Sequence, residues 1–541
     1  MTEKTSDDAL RAAVTAYFQV GNQRGASKLL GISQPQFCQR IADAKKRGLY
    51  KEPEGDVKPL QAIETALPKK GKVKRYILTC MQNYTHLHPC WPDLLALAEH
   101  YDAELLISTI KYNKDAQGQR AQAKWESREQ EQAAMYPEET LDYICDERVD
   151  LAPNLTWCGE LNIMPTAEDP LSGLNSYTHR KSTIVPHPKL AMHSVASMPG
   201  EGVKLLYTTG CITQRNYIKR KVGFKAEHYH NYGGLIVEVN HEGHWWVRQL
   251  TFGPDGAIHD LNLRVKKGAI TEGRYVEDIC WGDVHAGKSD PVVADISWGK
   301  RKDSMLETLK PRSQHVHDLL DFGARSHHTR KDPHEVFRSF VTGGWELTQE
   351  LKLTANCLWG DIARPWCNTV VVDSNHDRHL IRWLKEMDWR EDPANAVMLL
   401  KLNLFVLENI RDDKPFKLVE HALRLGLTTQ VPHAVRFLAE DESDVILPNI
   451  DGGIEGGLHG DRGANGSKGT INGIGNLDRK VNGADKHVAA IRNHAFFAGT
   501  AAKLDMGFNK GLSSWTQAHT ITYVNGTRAI YSIWKGDWRA R

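Results

Sequence analysis

The chain has 541 residues, 40% hydrophobic and 25% charged, and Lys+Arg 69 against Asp+Glu 67 leaves a net charge of +2. That balance belongs to a folded chain of about three domains and excludes intrinsic disorder, collagen-like repeats and a small disulfide scaffold. Nine Cys, odd in number and without C-x-x-C, point to reduced thiols in a cytoplasm. Residues 1–10 are polar and acidic, unlike a signal peptide, and no apolar run reaches the ~18 residues of a membrane span, so no membrane partner is expected.

Residues 9–51 carry eight Lys and Arg against one acid, Asp43, which puts +7 here and about −5 on everything else. Ser6 can cap a first helix with Leu10, Val14 and Phe18 on one face. A second helix over residues 23–30 stops at Gly31, a left-handed turn residue. Ser33 caps a third, with Pro35 in its first turn and Phe37, Ile41 and Ala44 facing inward. This order resembles a small helix-turn-helix; the alternative is a helical hairpin with a solvated basic end. Bound to DNA, the third helix would set Gln34, Gln36 and Arg40 near base edges and Lys45, Lys46 and Arg47 towards phosphates.

Residues 51–72, with three Pro and five Lys, read as a linker. A strand over 76–80, a helix over 91–99 and a strand over 104–107 follow. Further strands fall at 204–208, 234–239 and 245–251, the last two as a hairpin. Residues 73–270 thus read as an α/β domain of unassigned role. Beyond it, 277–281 and 369–372 are buried strands, 395–410 is a helix, and 435–438 with 444–447 is a strand pair. Residues 452–475 contain ten glycines. A flexible linker would have that composition, but the embedded His459, Asp461, Arg462 and Lys468 favour a functional loop.

Two readings compete for the chemistry. Residues 282–289 spell G-x-x-x-x-G-K-S after a strand, the letters of a P-loop, with a Walker-B-like strand end at residues 370–373. Asp283 would put a carboxylate into the phosphate cradle, and Pro291 with its β-branched neighbours favours extended chain where a helix should begin. The second reading uses Asp283 and His285 at a strand end, then His317-Asp318-Leu319-Leu320-Asp321, Asn375-His376-Asp377, His459 and His487. Together these are hard oxygen and imidazole donors in the pattern of a two-metal site.

The order G-D-x-H, G-D-x-x-D, G-N-H-D, H, G-H-x-H resembles the calcineurin-like metallophosphoesterases, within them the phage and bacterial DNA-degrading branch related to SbcD-type nucleases. It appears as Gly282-Asp283-Val284-His285, His317-Asp318-Leu319-Leu320-Asp321, Ser374-Asn375-His376-Asp377, His459-Gly460 and Ala484-Asp485-Lys486-His487. The resemblance covers residues 275–541 and implies a two-sheet αββα sandwich over 271–541, behind the α/β domain and a helix-turn-helix over 1–50. It further implies two divalent ions, Mn²⁺ first and Mg²⁺ as the alternative. One would sit on Asp283, His285 and His487, the other on Asn375, His459 and Asp485, with Asp318 bridging and an activated water attacking phosphorus. His376 would serve the leaving oxygen, Asp377 would hold its ring, and Asp321 would stand behind the ligands. Arg325, Arg462 and Lys468 are candidates for substrate phosphates. His317, Ser374 and Ala484 replace motif glycines, and Asp485 replaces a histidine, so His494 or His519 could be the ligand instead. A DNA nuclease follows, with DNA as partner and a homo-oligomer compatible. A phosphomonoesterase and a DNA-binding regulator with an inactive phosphoesterase fold stay open.

Overall fold

The computed structural model describes residues 5–20, 26–27, 29–50, 62–112, 135–326, 331–427, 433–507 and 509–541. The chain divides into two compact units, Met1–Gln61 and Ala62–Arg541. In the first, helix Asp7–Val20 is capped by the Ser6 hydroxyl, which accepts from Ala9 N–H. Helix Gln34–Lys46 begins with a capping box: Ser33 accepts from Gln36 N–H, and the Gln36 side chain accepts from Ser33 N–H. Leu10, Val14, Phe37, Ile41 and Ala44 form the core between them, as their spacing predicts. Gly31 has φ +64°, the left-handed turn expected of it. Half of the predicted second helix (23–25 and 28), the Phe18 side chain and half of the linker (51–61) lie outside the described residues.

The second unit is mixed α/β with several sheets. Strands Lys74–Gln82 and Ala103–Ile110 pair in parallel through helix Trp91–His100, and Gly233–Val239 joins the same sheet with its hairpin partner Trp245–Thr251. A six-stranded sheet runs in the order Val435–Phe437, Asn368–Val371, Ser313–Val316, Val276–Cys280, Ala518–Tyr523, Arg528–Ser532. Its first four strands are parallel and its last two antiparallel. Helices from Pro291–Trp298 to Leu418–Gly426 pack with it around Trp281, Trp298, Leu351 and Trp383.

The expected boundary near residue 270 does not separate two bodies. One eleven-stranded sheet runs from Ile63–Glu64 to Val445–Ile446, and its halves join where Met192–Val195 meets Ala490–Arg492. Leu78 and Val237 share a core with Phe496 and Ile530, so neither half could bury its apolar face alone. The predicted strand pair near 435–447 is also corrected. Val435–Phe437 extends the six-stranded sheet, whereas Val445–Ile446 pairs with Ile454–Glu455 in the large one. Among the described residues, no helix is long and apolar enough to cross a membrane.

Candidate metal centre

Three parallel strands of the six-stranded sheet end at one rim, the usual place for a site in an α/β layer. Val276–Cys280 leads to Asp283 and His285, Ser313–Val316 to His317 and Asp318, and Asn368–Val371 to Asn375 and His376. From the large sheet, Ile454–Glu455 leads to His459 and Lys480–Gly483 to Asp485 and His487. Gly282 is required for the first approach: a Cβ there would lie 2.6 Å from the Gly499 carbonyl oxygen. His285, Asp318, Asp485 and His487 all have positive φ, between +42° and +66°.

The side chains converge. Asp283, His285, Asp318 and His487 form one buried group whose donor atoms lie within 4.8 Å of one another. His487 Nε2 is 3.1 Å from Asp283 Oδ2 and 3.0 Å from His285 Nε2, and His285 Nε2 is 3.7 Å from Asp318 Oδ2. Around His459 Nε2 a second group gathers: Asn375 Oδ1 at 2.9 Å, Asp318 Oδ2 at 3.4 Å and Asp485 Oδ1 at 3.7 Å. Asp318 belongs to both. All seven predicted ligands are therefore brought together. His494 and His519 are elsewhere, the first against His228 and the second between Gly282 N–H and Ser297.

Burial and the Asp318 charge press the Asp283 carboxyl upward, yet His487 and His459 hold it below the ordinary range. Burial would lower His459, but Asp318, Asp283 and Asp485 outweigh it and push the ring up to about 10. Asp283 Oδ2 and Asp318 Oδ1 are buried without a hydrogen bond. Two facing imidazole nitrogens 3.0 Å apart can share at most one proton, so at least one offers a lone pair. Orphaned carboxylate oxygens beside imidazole lone pairs are the donor set of a divalent cation. This buried group can bind a metal ion.

Other predicted residues are placed differently. Asp377 does not hold the His376 ring; His376 Nδ1 is 3.0 Å from the Asp321 carbonyl oxygen. Asp377 is buried with Oδ1 unpartnered, and burial followed by the Asp373 and Asp318 charges pushes its carboxyl up to about 8. Arg325 is no phosphate ligand. It is buried, paired with Asp392 at 2.5 and 2.7 Å, and lies 3.7 Å over the Trp345 ring. Arg462 pairs with Glu440 and with Asp441, while Lys468 is exposed on the loop of His459. On the amino-terminal unit, Gln36 is engaged in the capping box and Arg47 is tied to Asp7 at 2.8 Å and to the Thr5 carbonyl. Lys45 lies 4.6 Å over the Tyr50 ring, and Gln34 and Lys46 are exposed.

No phosphate cradle forms at 282–289. The helix there is Pro291–Trp298, three residues beyond Lys288, and the Asp290 carboxylate caps its amide groups. The expectation of extended chain after Pro291 is corrected as well, because proline is well suited to a first helical turn.

Asp321, expected behind the ligands, supports two histidines, its Oδ1 3.1 Å from His285 Nδ1 and its carbonyl on His376. Two contributions were missed from sequence. His317, noted only as a lost glycine, lies with Nδ1 3.3 Å from His459 Nδ1 and Nε2 3.3 Å from Cys280 Sγ. Arg378, following the Asn375–Asp377 run, joins Asp373 at 2.7 Å and Asp461, and with Arg382 and Lys385 lines a cleft of about 310 Å³.

The fold and the site together define a mixed α/β protein with a buried Asp/His group able to hold a cation. No family model and no solved structure matches the chain. Protein A1 of Escherichia phage T5 is 34% identical over 515 residues, covering 93% of this chain and 88% of that one. The chain belongs to the family of that phage protein.

Proposed function

We propose that this protein is a metal-dependent DNA nuclease that hydrolyses phosphodiester bonds on a calcineurin-like two-sheet sandwich. The observation that carries the reading is a buried donor group of Asp283, His285, Asp318 and His487 beside a partly buried one of Asn375, His459 and Asp485, with Asp318 within reach of both. Two divalent cations, Mn²⁺ first and Mg²⁺ second for this oxygen-and-imidazole set, would supply charge that neutralises a phosphodiester and acidifies a water. The protein's own work is positioning. Asp321 fixes the ring of His285, and its carbonyl accepts a hydrogen bond from His376 Nδ1–H, which leaves His376 Nε2 to serve the leaving oxygen. Burial would lower the His376 pKa, but Asp318 and Asp321 raise it, so the ring is ready to give a proton.

DNA is preferred over a small phosphomonoester because the +7 charge of residues 9–51 suits a polymeric anion. Gln34, Arg40, Lys45 and Lys46 remain as contacts, and Lys468, exposed on the loop of His459, remains as the phosphate candidate. The test is to incubate the full-length protein with linear and circular DNA in Mn²⁺, Mg²⁺ or EDTA. Cleavage that needs the cation and vanishes in Asp318→Ala supports the reading. Intact DNA with hydrolysis of a phosphomonoester makes the protein a phosphatase; DNA binding with neither activity makes it a regulator.

A further inference from the structure

The four-stranded sheet runs in the order Trp245–Thr251, Gly233–Val239, Lys74–Gln82, Ala103–Ile110, which leaves Ala103–Ile110 as an edge. Its downstream half is covered. Ile107 bridges Ile144, the Ile107 carbonyl accepts from Cys145 N–H at 2.9 Å, and Thr109 N–H donates to Asp146 Oδ1 at 2.7 Å. Alternate residues of a strand turn their backbone groups the same way, so Ala103 and Leu105 aim N–H and C=O at that same outer side. Among the described residues no strand pairs with them there. The neighbouring chain forms the turn Glu138–Tyr143 instead, and a cleft of about 750 Å³ opens between that turn, the strand and helix Trp91–His100. Leu95, Ala98, Leu105 and Tyr143 give it an apolar floor, and Glu99, Asp102, Glu104 and Asp142 rim it. These carboxylates are all exposed, and among the described residues only Glu104 has a cation within ion-pair distance, Lys74 at 3.6 Å. No Lys or Arg among the described residues lines the cleft.

We propose that this cleft docks an extended basic segment of a partner protein, which adds a strand to the edge over Ala103–Leu106. The open backbone supplies hydrogen bonds that any sequence can make, the floor takes apolar side chains from one face of the added strand, and the carboxylates select Lys or Arg at the rim. Charge favours this occupant over others. Pairing with the same edge of a second copy would bring two acidic rims together, and a nucleic acid or an anionic membrane would be repelled. Guarding a bare edge against aggregation needs charge on the strand itself, which Glu104 provides. The other acids stand off the strand: Glu99 on the helix, Asp102 on the turn before the strand, and Asp142 on the neighbouring turn, where Glu138 and Glu139 continue the charge. They face whatever enters the cleft. The cleft shares no residue with the metal centre, so the inference holds whether or not the chain hydrolyses DNA.

Fluorescence anisotropy with the full-length protein tests this, the probe being a short, end-capped, fluorescein-labelled peptide of alternating Lys and Val in low-salt buffer. Saturable binding in the micromolar range is expected, with a Glu-Val peptide of the same length unbound. N-methylation of one alternate set of peptide amides should weaken binding about 10-fold or more. N-methylation of the other set should leave it unchanged, because only one side of an added strand faces the protein. Asp102→Lys/Asp142→Lys alters two exposed side chains and should exchange the preference, losing the Lys-Val peptide and gaining the Glu-Val one. Misfolding could produce the loss but not the gain. A Lys-Val peptide that does not bind overturns the proposal. So does binding that both N-methylated forms keep equally or lose equally, or that survives the charge reversal, since solvated acids attracting a polycation would behave in those ways.

Discussion

Replacing Asp318 by Asn should separate metal binding from folding. The Asp318 carboxylate is 2% exposed, lies 3.4 Å from His459 Nε2 and 3.7 Å from His285 Nε2, and keeps Oδ1 without a hydrogen bond. It is the one side chain common to both donor groups, so an amide there halves the carboxylate's ligating capacity and removes a charge both cations would share. A cation bound at about 1,000 times its Kd stabilises the native state by about 4 kcal/mol. Unfolding the roughly 480 residues of Ala62–Arg541 releases about 2.1 cal/mol/K per residue, or about 1 kcal/mol/K. Saturating Mn²⁺ should therefore raise the wild-type Tm by about 4 °C for one ion and about 8 °C for two. Differential scanning fluorimetry in EDTA and across a Mn²⁺ titration reads this, each protein being its own baseline. Asp318→Asn should show a shift below about 1 °C. An equal shift in wild type and variant, or none in the wild type, would refute the shared-carboxylate argument.

On the proposed reading, in which its ring would serve the leaving oxygen, His376→Ala should lose about 10²–10⁴-fold in turnover and keep the full Mn²⁺-induced shift. His317→Phe should weaken Mn²⁺ binding about 10–100-fold in calorimetry, since it removes the acceptor beside His459 Nδ1, while His317→Asn should recover part of it. Lys45→Glu/Lys46→Glu should lower DNA affinity and flatten its salt dependence, with hydrolysis of a small chromogenic phosphodiester unchanged. His315 predicts a pH effect independent of the metal: burial would lower its pKa, but Asp278 and Asp444, each 2.8 Å away, push it up to about 10. The folded value lies above the unfolded one, so this stabilisation is complete below pH 6.5 and is lost as pH rises through about 10. Urea melts of His315→Gln should lack a decline of about 1.4 kcal/mol per pH unit that the wild type shows across that window.

Two sets of donors were legible because each stands just past a strand whose apolar run is local, Ile279–Cys280 before Asp283 and Val370–Val372 before Asn375, whereas the strands before Asp318, His459 and Asp485 read SQHV, IE and KVNG and carry no such run. Capped helices were legible for the same reason, Ser33 and Gln36 being three residues apart. What escaped depends on partners far away in sequence. Arg325 beside the site motifs looks like a phosphate ligand until Asp392, 67 residues on, claims both its terminal and its ε nitrogen. Asp377, adjacent to His376, looked like its support, but helix Asp377–Glu386 begins there and carries the carboxylate away from the ring, leaving the Asp321 carbonyl to do it. The boundary at 270 failed because a single bridge between Met192 and Ile491, some 300 residues apart, continues one sheet through both halves, and no local pattern encodes such a pairing.

The energetics of the centre argue that it is kept for a ligand and not for packing. His285, Asp318, Asp485 and His487 each adopt left-handed backbone, which Asp and His tolerate better than most residues yet which still costs on the order of 1 kcal/mol apiece. A packing role would be met with less strain by Gly or Asn at those turns. The site also buries Asp318 with Oδ1 unpartnered, a further cost of about 1–3 kcal/mol. The departure at Asp485 follows the same logic. Burial is the largest influence and leaves its carboxyl above the ordinary range, against the opposing pull of His459 and the Lys486 ammonium. On the proposed two-metal reading, a carboxylate there would supply an oxygen donor where a second imidazole would stand, which favours Mn²⁺ and Mg²⁺ over Zn²⁺.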